Sequence, residues 1–148
     1  MTSPSWRPRV RLALVACLAV VAMALAPLAS ASSPIQSLSF TKACNLDFCT
    51  VTAVSGPIPT GSTLTYSGPR FDPHLSSAFV LAVTGGAATG HCSLNWASGL
   101  GTCIIDGGTG VLAGFHANLS EWVDFGDGTF ESFVFHLDGT YHIVAAGS

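Results

Sequence analysis

Hydrophobic and polar positions divide the chain into two unlike parts. Leu12 to Ala26 is an unbroken apolar run of 15 residues. Beyond residue 31 no comparable run recurs. Short apolar-rich stretches alternate with Gly, Ser, Thr and Asn instead. Alternation over four to ten residues between glycine-containing turns is the pattern of half-buried strands. It predicts strands near 48–55, 62–67, 77–84, 88–96, 101–106, 115–125, 129–137 and 140–146, with a shorter one near 36–41. No helical segment is expected beyond one turn near Val111–Gly114. All prolines after residue 31 precede residue 74, so the second half keeps every backbone donor free for continuous pairing.

Two turns set the expected register of the C-terminal strands. Asp138-Gly139 has the chemistry of a two-residue hairpin turn. It would set Leu137 opposite Thr140 and His136 opposite Tyr141. Val134, His136, Tyr141 and Ile143 would then share one face, and Phe133, Phe135, Leu137, His142 and Val144 the other. Both faces are largely apolar, which predicts a barrel interior on one side and a second covered surface on the other. At Gly126-Asp127-Gly128 a three-residue loop would pair Asp124 with Phe130 and avoid placing it against Glu131. That register puts His116, Asn118, Ser120 and Trp122 on the face of His136 and Tyr141.

Composition changes the picture once it is divided by position. The 148 residues are 49% hydrophobic and only 9% charged, with a mean hydropathy of +0.53, which taken together would suggest a membrane protein. Most of that bias lies in residues 1–31. There Arg7, Arg9 and Arg11 precede the apolar run, and Ala29-Ser30-Ala31 follows it, the layout of a cleaved secretory signal peptide. Fifteen residues fall short of the roughly 20 that span a bilayer. Residues 32–148 are therefore expected to form a single exported domain with no membrane segment after cleavage. Within it Lys42 and Arg70 face eight acidic residues, a formal charge of −6. Two basic residues cannot neutralise a phosphate backbone, which excludes a nucleic-acid partner. Glu, Lys, Arg, Gln and Met together number only five there, too few to clothe exposed helices. The domain is predicted to be all-β, with strand spacing that suggests a barrel or a sandwich.

Four cysteines follow the leader, and an even number in an exported domain reads as two disulfides. Closeness in sequence favours Cys44–Cys49 and Cys92–Cys103, the latter across a hairpin turning at Ala97-Ser98. No Cys-x-x-Cys is present. The histidines, His74, His91, His116, His136 and His142, show no helical i, i+4 or strand i, i+2 pairing, so neither a metal site nor a cofactor is expected. No Gly-x-Ser-x-Gly elbow marks a nucleophile.

The most distinctive stretch is Gly90-His-Cys-Ser-Leu, then Gly101-Thr-Cys-Ile-Ile-Asp-Gly-Gly-Thr-Gly110-Val-Leu-Ala-Gly-Phe-His-Ala117. Over about 30 residues it resembles the Gly-Gly-Thr-Gly segment of the allene oxide cyclase and dirigent-type β-barrels. Gly107, Gly108, Thr109, Gly110 and Gly114 match structural positions of that segment. The resemblance implies an eight-stranded antiparallel barrel with a central apolar cavity, commonly packed as a trimer, and hence a homo-oligomer. Val123-Asp-Phe-Gly-Asp-Gly-Thr129 resembles the core of polycystic-kidney-disease-type immunoglobulin-like repeats, which implies the alternative fold, an immunoglobulin-like β-sandwich.

The function expected from these features is binding of a small hydrophobic or aromatic molecule in the barrel cavity of a secreted protein. His116, Trp122, His136 and Tyr141 are the ligand-binding candidates. The alternatives are a cyclase or isomerase using His116 or His136 as acid or base, and a non-catalytic cell-envelope interaction module.

Overall fold

A computed structural model describes residues 33–45, 47–68 and 74–145. The expected signal peptide, residues 1–31, lies outside the described residues. Eight strands run in chain order: β1 (Gln36–Cys44), β2 (Phe48–Ser55), β3 (Thr63–Ser67), β4 (His74–Val83), β5 (Gly86–Asn95), β6 (Leu100–Gly110), β7 (Phe115–Asp124) and β8 (Val134–Ile143). Each pairs antiparallel with the next, and β1 pairs with β8, so the sheet closes into an eight-stranded barrel without edges. The sandwich alternative is excluded.

Alternation decides what faces inward. On β1 the buried positions are Leu38, Phe40, Lys42 and Cys44, and on β7 they are Phe115, Ala117, Leu119, Glu121 and Val123. The outward rows are rich in Ser and Thr, which bond across strands, as Ser93 does with Thr102 at 3.2 Å. Both disulfides join the expected partners, Cys44–Cys49 and Cys92–Cys103. Asn95 pairs with Leu100, which centres the β5–β6 turn on Ala97-Ser98 as expected.

The last third of the chain corrects the expected register. Asp138-Gly139 is not a turn: β8 runs straight through it, with Gly139 opposite Leu119 on β7 and opposite Leu38 on β1. The strand is flanked on both sides, and a turn there would break two ladders at once. Glycine suits this position for closeness, because a Cβ would lie 2.0 Å from the Asn118 carbonyl oxygen. The real connection is residues 125–133, closed by a single 3-10 turn at Phe130–Ser132. Asp124 consequently pairs with Val134, not with Phe130. With β8 continuous, Phe135, Leu137 and Tyr141 point inward, while His136, Asp138, Thr140 and His142 share the outer side. His136 and Tyr141 therefore lie on opposite faces, and His136 and His142 on the same one. The outer side of β8 is mixed rather than apolar and does not call for a second cover.

The two ends of the barrel are built differently. One end carries the turns at 56–62, Thr84-Gly85 and 111–114, with Ile58 and Leu112 buried inside it. Gly114 is required there: its φ is +71°, and a Cβ would meet the Val144 carbonyl oxygen at 1.9 Å. The other end carries the Cys44–Cys49 hairpin, the β5–β6 turn and the 125–133 loop.

Candidate functional site

At this second end the lumen contains a buried ion pair. Lys42 Nζ lies 2.8 Å from Glu121 Oε1, with the two side chains 2% and 1% exposed. β1 and β7 flank β8 on either side, so the two side chains reach toward each other across its inner face. The ammonium also donates to the Tyr66 hydroxyl oxygen. It stands 5.0 Å from the Tyr66 ring centroid and 5.2 Å from that of Phe135. Burial, the largest influence, pulls the Lys42 pKa down, but Tyr66 and Glu121 together outweigh it and the net shift is upward. The charged ammonium form of Lys42 is thereby favoured. An ammonium has three donors, and two are engaged by these partners.

Glu121 Oε2 is differently placed. Its neighbour is Cys103 Sγ at 3.4 Å. That sulfur is bonded to Cys92 and has no hydrogen to give. The Tyr66 hydroxyl lies 3.7 Å from Cys92 Sγ, where the phenol is the only possible donor. Cys92, Cys103 and Glu121 converge as metal ligands would, but with both sulfurs oxidised they offer no thiolate, and the group is not a metal centre.

The pair forms the floor of a pocket lined by Lys42, Glu121, Tyr66, Leu75, Leu94, Trp96, Phe130, Phe135 and the Cys44–Cys49 disulfide. The enclosed cavity is small, about 20 Å³. This end of the lumen is thus nearly filled by side chains. Aromatic rings roof the pocket: Trp96 meets Phe135 edge-on at 6.2 Å, and Phe133 packs against Trp96, Phe125 and Phe130 at 6.4, 5.1 and 5.5 Å.

Of the residues expected from sequence to bind a ligand, Tyr141 alone faces inward. It stacks on Phe115 at 5.3 Å and donates to Gln36 Oε1 at 2.9 Å, away from the pocket. His116, Trp122 and His136 lie on the outer side of β7 and β8, where Trp122 and His136 stack at 3.7 Å. Neither histidine lines the pocket. Lys42, Glu121 and Tyr66 belong to no recognisable motif, although alternation marks two of them. Leu38-x-Phe40-x-Lys42-x-Cys44 and Leu119-x-Glu121-x-Val123 each place a charge in an inward row.

Compared with protein-family models, with curated proteins and with solved structures, the chain finds no match.

Proposed function

We propose that the protein is an exported barrel that binds a small oxygenated aromatic or apolar molecule at the Lys42–Glu121 end. The observation that carries this reading is a desolvated ion pair with hydrogen-bonding capacity to spare, set at the floor of an aromatic-lined pocket. Such a pair is a poor stabilising device compared with apolar side chains of the same volume. Apolar pockets with a few convergent polar groups are the usual form of ligand sites. The small enclosed volume limits what enters. The ligand places one oxygen against the third Lys42 donor and leaves its body among Trp96, Phe130 and Phe135 at the mouth. This shifts the expected site from the centre of the lumen to one end.

Two disulfides are consistent with an oxidising, extracellular compartment, which supports export through the N-terminal leader. Membership of the allene oxide cyclase and dirigent-type superfamily belongs to the same proposal, supported by the closed eight-strand meander.

Titration with phenol, acetophenone and toluene, followed by amide chemical shifts, tests the reading. The oxygenated probes should bind at the pocket residues at least about tenfold more tightly than toluene, the worth of a hydrogen bond to a charged group. Equal affinity for all three, or shifts confined to the outer face, would overturn it.

Glu121 Oε2 favours a second reading, an isomerase or cyclase at the same place. Glu121 would take a proton from a substrate whose oxygen is polarised by Lys42 and Tyr66. His116 and His136 have no part in it. Its mark is solvent-deuterium exchange into a bound carbonyl compound, abolished by Glu121→Gln.

A further inference from the structure

β7 and β8 set His116 directly opposite His142 on the outer side of the barrel. The two imidazoles stack with centroids 5.4 Å apart and planes 14° from parallel, and both are half-exposed. On the adjoining strand β6, Asp106 is the extra residue of a β-bulge: Thr89 pairs with Gly107 and Gly90 with Ile105, which leaves Asp106 without a partner on β5. It is exposed. Ile105 faces Ala117, the last pair of β6 with β7, and Asp106 follows it on β6, one position toward the level of His116. Bulges commonly re-aim a side chain in this way.

We propose that His116, His142 and Asp106 form a surface site for a borderline divalent transition-metal ion, zinc(II) or copper(II). The two imidazole nitrogens anchor the ion, the carboxylate joins as third ligand, and water completes the shell. The donor set selects the ion class, since imidazole suits zinc and copper whereas calcium and magnesium require oxygen cages. Metal–nitrogen bonds of roughly 2.0–2.1 Å ask the two nitrogens to come within about 4 Å of each other. Side chains directly opposite on paired strands start near enough for one ring to swing out of the stack and reach that distance. Asp106 follows by a change of rotamer. Ring stacking alone is not the signal, because Trp122 and His136 stack still more closely on the same two strands. What distinguishes the His116 pair is that both rings offer ligand nitrogens, and that the bulge residue Asp106 follows Ile105 on the adjoining strand.

Calorimetric titration of the purified chain with zinc chloride and, separately, with copper(II) in a weak glycine buffer tests the site, with magnesium chloride as the hard-ion control. One ion per chain is expected in the micromolar range, copper tighter than zinc, and no magnesium binding. His116→Ala and His142→Ala should each weaken binding by more than about tenfold. Asp106→Asn should weaken it less, and His91→Ala should leave it unchanged. Asp106 and His91 are exposed, and a melting curve of each variant confirms folding. Unchanged binding in both His116 and His142 variants, or no saturation by either ion below the millimolar range, would overturn the proposal.

Discussion

The two ends of the barrel solve the same problem in opposite ways. At one end Ile58 and Leu112 fill the space under short turns, and Phe115 stacks on Tyr141. At the other, Lys42 and Glu121 occupy positions that the strand pattern reserves for apolar side chains, and five aromatic rings cover them. The first end gains stability from area removed from water. The second accepts the desolvation of two charges. The difference separates the part of the fold that holds the barrel closed from the part with chemistry to offer.

The largest effect should come from breaking the ion pair on one side only. Lys42→Ala leaves the Glu121 carboxyl buried without its partner, and urea unfolding should show a loss of about 3–5 kcal/mol. The double change Lys42→Met with Glu121→Leu removes both charges and should restore most of that loss or exceed it. If the double variant were no more stable than the single one, the pair would be structural and the contrast between the ends would collapse. At the other end Ile58→Ala should cost about 2–4 kcal/mol through lost burial and the cavity left behind. No second change is expected to rescue it.

Removing either disulfide comes next. Both close short loops, with separations of 5 and 11 residues, and the chain-entropy model gives about 2–3 kcal/mol for each. The Cys92–Cys103 bridge also adjoins Glu121, so Cys92→Ser with Cys103→Ser should alter phenol binding. The Cys44→Ser, Cys49→Ser pair, which removes a bridge of the pocket wall and not the one against the carboxylate, should alter it less. Equal effects of the two would place the binding determinant elsewhere in the pocket.

The contrast between the ends was only partly legible in the sequence. The all-β class followed from the shortage of long polar side chains, and both cysteine pairings followed from proximity. The β7–β8 connection did not. Asp138-Gly139 and Gly126-Asp127-Gly128 have equally good turn chemistry, and local signals cannot weigh them. What decides is barrel closure, a non-local requirement that keeps β8 paired on both edges. The misplaced turn also reversed the parity of every residue after it, which joined His136 to Tyr141 and concealed His142 opposite His116. Lys42 and Glu121 were visible as interruptions of two inward rows. Their meeting depended on closure as well, since β1 and β7 are neighbours only through β8.

The smallest effect concerns the roof of the ionic end and tests the comparison by pH. Asp127 Oδ1 accepts from the Thr129 hydroxyl at 2.7 Å and from the Thr129 amide at 2.9 Å. The Asp127 amide itself bonds Ser132 Oγ at 3.2 Å. The Thr129 hydroxyl foremost, then the Thr129 amide and the Ser132 side chain, hold the Asp127 carboxyl down at about 2. A folded-state pKa below the unfolded value of about 3.9 means the stabilisation is fully present above pH 4 and is lost as pH falls toward 2. The turns at 56–62, Thr84-Gly85 and 111–114 contain no titratable side chain. Acid should therefore loosen the 125–133 loop, read as faster hydrogen exchange at Thr129 relative to Leu112, with little change in the global unfolding midpoint. Asp127→Asn should remove that pH dependence in the loop. If Leu112 and Thr129 gained exchange together between pH 4 and 2, the ends would be opening as one unit, and the aromatic roof would not be a separately yielding part of the barrel.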